Sequence, residues 1–188
     1  MKLNKLQKKI GISFKDDKLL IQALTHKSFD TKNNYEKLEF LGDRVLGFVI
    51  SKKLLELYPN EKVGMIDKKL ANLVNKNKCF EIGKELELDN YILTGNTEKK
   101  KKVNIEKKII SDCCESLIGA IYIDKGFEVS SKFILNYWKN YLNLSDITVI
   151  DSKTRLQEYS LKKFKALPIY KLISNTGPRH KPNFKISV

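Results

Sequence analysis

Residues 35–46, YEKLEFLGDRVL, decide how this chain is read. Glu36, Glu39 and Asp43 fall at spacings of three and four, so on a helix they project from one side. Around them lie Leu38, Phe40, Leu41, Val45, Leu46, Phe48 and Val49, an apolar set that predicts a largely buried helix from about Tyr35 to Tyr58. Pro59 ends it, and Asn33 or Asn34 is placed to cap its start. A second block, SDCCE at residues 111–115, repeats the arrangement with Asp112 and Glu115 beside Leu117, Ile118, Ala120 and Ile121. Acids in buried helices are costly unless paired, protonated or bound to a cation. Clustered carboxylate oxygens suit Mg²⁺, which takes a few carboxylates and completes its shell with water and phosphate oxygens.

Outward from these blocks, helical patterning continues to about residue 144. Leu3, Leu6 and Ile10 form a short stripe, and Leu19, Leu20, Ala23 and Leu24 follow two acids, Asp16 and Asp17. Further helix-length segments run from Val63 to Val74, Phe80 to Leu86, Ile109 to Ile123 and Phe127 to Leu142. No long alternating strand interrupts them, so this region is read as all-α. Between two of the helices lies TGNTEKKKKVNIEKK, residues 94–108, a lysine-rich loop whose place just before Asp112 suits contact with a phosphate backbone.

Composition narrows the partners. The net charge of +14 points to a polyanion, most simply nucleic acid, and 41% apolar residues are enough for a real core. The charge excess is uneven: residues 151–188 carry nine Lys/Arg against two Asp/Glu, half of the whole excess in the last fifth of the chain. The three cysteines, Cys79, Cys113 and Cys114, form neither an even framework nor a CxxC pair and read as reduced thiols of a cytoplasmic protein. Zinc is not expected, because the two histidines, His26 and His180, lack ligand spacing with them. No apolar run approaches a membrane span and no secretory leader is evident, so no membrane association is expected.

The composition changes after NLSDITVID. A helix from Ser152 to about Phe164, a strand at Pro168–Ser174, a turn and a second strand from Asn183 predict a small α+β module. The expected organisation is an all-α domain at residues 1–145, a linker at 146–150 and a partial module at 151–188, which stops within its second strand with one sheet face uncovered.

Two acid-bearing helices facing each other would hold metal ions for phosphodiester hydrolysis, which needs an activated water and neutralisation of the phosphoryl charge. Such chemistry uses no catalytic His or Cys. The plain alternative for each acid is a solvated face paired with lysines such as Lys37 and Lys108. Neither a GxSxG elbow nor a phosphate-binding glycine loop is present.

The quoted blocks resemble the ribonuclease III family. YEKLEFLGDRVL is similar to its signature segment, IISDCCESLIGAIYIDKGF to its other catalytic helix, and FKDDKLLIQALTHKS to the stretch preceding the signature. DSKTRLQEYSLKKF and LPIYKLISNTGPRHKPNF resemble the first half of a double-stranded-RNA-binding domain. The resemblance implies an all-α catalytic domain followed by a partial α+β RNA-binding module. It implies a Mg²⁺-dependent endoribonuclease, Mn²⁺ being an alternative ion, that cuts double-stranded RNA to 5′-phosphate products with short 3′ overhangs and processes rRNA and other structured precursors. Glu39, Asp43, Asp112 and Glu115 match the metal-binding and catalytic acids, and Glu36 an acid of the cleft wall that handles substrate. Phe40 matches an aromatic at a homodimer interface. Thr154, Gln157, Glu158, Arg179 and His180 match residues that contact the RNA duplex. In EKVGMIDKKL the family commonly has Glu before the glycine; this chain has Val63, with Glu61 two residues earlier. The rival expectation is a non-catalytic double-stranded-RNA-binding protein of the same fold.

Overall fold

A computed structural model describes residues 2–95, 106–144, 152–177 and 183–187. The chain divides into two compact units, Met1–Asp146 and Ile147–Val188.

In the first unit the helices are α1 (Lys2–Ile10), α2 (Asp17–Ala23), α3 (Glu36–Leu57), α4 (Val63–Leu73), α5 (Lys76–Glu85), α6 (Lys107–Lys125) and α7 (Phe127–Leu144), with a 3₁₀ turn at Leu88–Asn90. Side-chain caps start several of them. Asp16 accepts from the Lys18 N–H, and Asn75 accepts from those of Asn77 and Lys78. Asn34 Oδ1 takes the Glu36 N–H at 3.0 Å. The expected start of α5 at Phe80 is corrected to Lys76. Its first turn is polar and invisible to apolar periodicity, and the Asn75 cap sets it instead.

The organising element is α6, buried continuously from Ile109 to Ile121, acids included. A helix buried on all sides must be surrounded, and α2, α3, α5 and α7 pack against it. Its most extensive partner is α3. The two cross where both lack a side chain: a Cβ on Gly42 would lie 1.8 Å from the Glu115 carbonyl oxygen, and one on Gly119 2.2 Å from that of Leu38. This close approach places the acid face of α3 beside the acids of α6. Trp138 of α7 is fully buried and donates its Nε1–H to the Leu73 carbonyl at 2.8 Å, satisfying a carbonyl at the end of α4.

The apolar face of α3 is less completely buried than its composition predicts. Phe40 and Phe48 are 66% and 62% exposed, whereas Leu38, Val45, Leu46 and Val49 are buried. Phe48 rests edge-on against Phe127 at 5.6 Å. The cysteines are free and buried. Thr25 and Leu93 form a parallel bridge, the one extended pairing among the described residues of this unit. No helix among the described residues is long and apolar enough to cross a membrane.

Asp124, near the end of α6, fastens the chain preceding α2. Its Oδ1 and Oδ2 accept the Lys15 N–H at 3.2 and 3.0 Å, and Lys125 pairs with it at 3.0 Å. Burial alone would raise its carboxyl pKa, but the Lys15 N–H and the Lys125 ammonium outweigh it and hold it below the usual value. A depressed carboxylate pKa stabilises the fold above the unfolded-state value, and that contribution is lost as pH falls through the folded value. Asp124→Asn should therefore lower Tm at neutral pH by about 2–4 °C, the effect of roughly 1 kcal/mol in a chain of this size. The deficit should begin to shrink as pH falls toward about 4, the unfolded-state value, and close only below the depressed folded value of Asp124; melting the two proteins from neutral pH down to the lowest pH at which both still fold checks it.

The second unit holds α8 (Ser152–Phe164), β1 (Lys171–Thr176) and β2 (Asn183–Ser187). The strands pair antiparallel, Leu172 opposite Ile186 and Asn175 opposite Phe184, with a bulge between Leu172 and Ser174. β1 spans Lys171–Thr176 where Pro168–Ser174 was expected; Pro168 itself has no N–H to give a ladder. Ser160 Oγ donates to the Ala166 carbonyl at 2.7 Å and ties down the chain after α8. Leu172, Ile173, Phe184 and Ile186 are all more than half exposed.

Candidate active site

The α3–α6 crossing brings Glu39, Asp112 and Glu115 together: one carboxylate oxygen from each lies within 4.8 Å of the others. Asp112 and Glu115 are buried within the fold, and Glu39 is half-buried above them. Beside them opens a cleft of ≈ 410 Å³ lined by Glu36, Glu39, Phe40, Asp43, Lys76 and Glu115.

Three carboxylates so close repel one another and need a counter-charge. Lys76, the first residue of α5, supplies it. Its Nζ donates to Glu39 Oε1 at 2.9 Å, Asp112 Oδ1 at 2.6 Å and Glu115 Oε2 at 2.7 Å. Lys108 takes the other oxygen of Asp112 at 2.6 Å from one helical turn away. This pair is the local one that the i,i+4 spacing predicts.

The electrostatics follow from this geometry. Burial pushes the Glu115 carboxyl above the usual range, with Lys76 opposing. Burial acts on Asp112 in the same sense, but Lys108 and Lys76 outweigh it and hold that carboxyl below the ordinary value. Desolvation disfavours the Lys76 ammonium, yet its bonds to Asp112, Glu115 and Glu39 raise its pKa overall. The Tyr35 phenol is pushed up by burial and further by Asp112 and Glu39.

The donor set fits a hard divalent cation. It consists of carboxylate oxygens and already encloses a positive charge. Ligands about 2.1 Å from a Mg²⁺ stand roughly 3.0–4.2 Å from one another, so three oxygens already within 4.8 Å could converge on one ion by side-chain adjustment.

The other expected residues are placed as follows. Asp43 lines the cleft but lies outside the three-acid group and pairs with its neighbour Arg44. Arg44 in turn stacks over Phe40, its guanidinium carbon 5.0 Å from the ring centre. Glu36 lies on the cleft wall, paired with Lys27 at 3.1 Å. Val63 is 81% exposed at the start of α4 and does not line the cleft. Glu61 does not line it either; its carboxylate accepts the Lys62 N–H.

A family model described as Ribonuclease-III-like matches residues 16–142. Ribonuclease 3 of Pelagibacter ubique is 64% identical across 100% of this chain and 85% of its own length. The chain belongs to the ribonuclease III family. Ribonuclease 3 of Agrobacterium fabrum is 39% identical over 99% of the chain and 79% of its own length. Among solved structures, the nuclease domain of ribonuclease III from Campylobacter jejuni superimposes with a TM-score of 0.70 at 37% identity, covering 74% of this chain and 97% of that domain. That structure is described as flexible in a region involved in dimer formation. Dicer from Pichia stipitis, at 18% identity and a TM-score of 0.55, shares the fold.

For a ribonuclease III chain, the residue that sequence reading missed is Lys76. It reaches the three acids from 36 to 39 residues away, and no local spacing signals that. In the second unit Gln157 is half-buried on α8. The side chains of Thr154 and Glu158, together with Arg179 and His180, lie outside the described residues.

Proposed function

We propose that this ribonuclease III chain hydrolyses double-stranded RNA with Mg²⁺, or Mn²⁺ in its place, held by Glu39, Asp112 and Glu115, with Asp43 joining from the same cleft. The observation that carries this reading is the convergence of three carboxylates from two helices on one point beside an open cleft. A binding protein has no use for acids facing a phosphate backbone; a metal hydrolase requires them. When bound, the ion supplies an activated water and neutralises the phosphoryl charge. The chain's own contribution is rigidity. Asp112 and Glu115 are locked in the core helix, and Glu39 and Asp43 stand on the helix crossed against it. Glu36 and the cleft wall orient the duplex, and the large positive charge of the chain draws it in.

The proposal extends to the assembly. Phe40, two-thirds exposed at the cleft and stacked by Arg44, suits burial against a second copy in a homodimer. Two sites facing one duplex would each cut one strand, leaving 5′ phosphates and short 3′ overhangs. The second unit, a partial double-stranded-RNA-binding module, adds duplex contacts through Thr154, Gln157, Glu158, Arg179 and His180. Processing of rRNA and other structured precursors in the cytoplasm is the role that follows.

A long RNA duplex incubated with purified protein tests the reading. Mg²⁺ should give short duplex products with ligatable 5′ phosphates, EDTA should stop the reaction, and a DNA duplex of the same sequence should survive. Binding of the RNA without cutting, with Mn²⁺ also supplied, would leave a non-catalytic duplex-binding protein as the correct account.

A further inference from the structure

The reading above gives the acids a metal ion and leaves Lys76 without a task, although it makes the most concentrated set of ion pairs described. An ammonium has three N–H donors, and each is spent on a different carboxylate, at 2.6–2.9 Å. None remains for a phosphate unless an acid is released. Helix stability does not explain the lysine either. It opens α5, and the positive end of a helix disfavours a cation. The two sides of the contact differ in freedom: the Asp112 and Glu115 side chains are 1% and 3% exposed, that of Lys76 51%. The anions are fixed in the core, while the cation sits at the solvent edge on a flexible four-carbon stem.

Three carboxylates this close need a positive charge among them at all times, and two cations cannot occupy the same point. We infer that Lys76 is a displaceable internal counter-ion that sets the metal affinity of the site. It holds Glu39, Asp112 and Glu115 together before the divalent ion arrives and withdraws toward solvent as the ion binds. This rests on the acids being the metal site. Metal binding is then an exchange of one cation for another, and the apparent affinity is reduced by the ammonium that must leave. Lys108 has a different part. Of the three acids, the one its ammonium is described bonding to is Asp112, through the oxygen Lys76 does not use, so it can keep Asp112 oriented throughout the exchange.

The test is Mn²⁺ binding to the full chain, with free ion counted by electron paramagnetic resonance and no RNA present. Lys76→Gln should bind Mn²⁺ about tenfold more tightly than the native chain, the lower end of the effect of a charge within about 4–6 Å. Lys108→Gln should change the affinity less. In EDTA, Lys76→Gln should melt several degrees lower, and saturating Mn²⁺ should erase the difference. A crystal of the native chain soaked in Mn²⁺ should show Lys76 Nζ detached from the acids, which decides the matter even if the variant does not fold. Equal or weaker Mn²⁺ binding by Lys76→Gln overturns the exchange, as does a soaked crystal with Nζ still bonded to all three carboxylates. Absence of Mn²⁺ binding by both proteins overturns the metal reading itself.

Discussion

Glu115→Gln is expected to lower kcat for cleavage of an RNA duplex by roughly 10³-fold or more, equivalent to about 4 kcal/mol of transition-state stabilisation. Glutamine keeps the size and one acceptor oxygen of the native side chain but not the charge, so the proposed metal site loses one of its three converging carboxylates. The variant also separates a catalytic role from a structural one. Glu115 is a buried carboxylate whose own burial disfavours its charge, so neutralising it removes a desolvation cost. Lys76 retains its bonds to Asp112 and Glu39. Melting in EDTA, followed through the single tryptophan, Trp138, should therefore fall by no more than a few degrees. A stable protein that cuts at least about 10³-fold more slowly and binds Mn²⁺ more weakly is the expected result. A stable protein that cuts at the native rate would remove Glu115 from the chemistry.

Gly42→Ala is expected to be the most damaging small substitution in the chain. Its Cβ would stand 1.8 Å from the Glu115 carbonyl oxygen and 2.9 Å from the Gly119 nitrogen. Both are backbone atoms in the buried stretch of α6, so no side-chain rotation relieves the clash and α3 must move away from α6. Overpacking costs about 1–3 kcal/mol where side chains can yield, and more where they cannot. At roughly 3–4 kcal/mol Tm falls by about 10 °C in a chain of this size. The movement also parts Glu39 from Asp112 and Glu115, so Mn²⁺ affinity and cleavage should fall even at temperatures where the variant remains folded. Gly119→Ala, 2.2 Å from the Leu38 carbonyl oxygen, should behave alike. Gly64→Ala, with nothing within 4 Å, is the control and should leave Tm unchanged or slightly raised. Equal melting of Gly42→Ala and the native chain would show that the two helices do not pack at this crossing.

Both variants bear on what was legible beforehand. Long helices rich in apolar residues, such as α3 and α6, were readable with their acids because the signal, residue type over a helix-length run, is local. The Lys108–Asp112 pair was readable for the same reason, one turn apart on one helix. The polar first turn of α5 was not, since an Asn cap and three hydrophilic residues leave no apolar trace. The exposure of Phe40 and Phe48 was hidden too: composition marks a side chain as apolar without saying whether a neighbour covers it. Five carboxylates in two blocks announced that a cation belonged with them. Nothing in their spacing said that Asp43 would turn to Arg44 while Glu39 joined Asp112 and Glu115.

By itself the sequence determined the helical character of the first unit and the family, and it singled out the acids proposed for the site, because each is written in residue types at short range. Tertiary structure alone decided which acids meet, and that a lysine 36 to 39 residues distant stands among them. The physical reason is that the meeting depends on how near two backbones can come. That distance is set by two glycines on different helices, and their complementarity exists only once the helices have crossed.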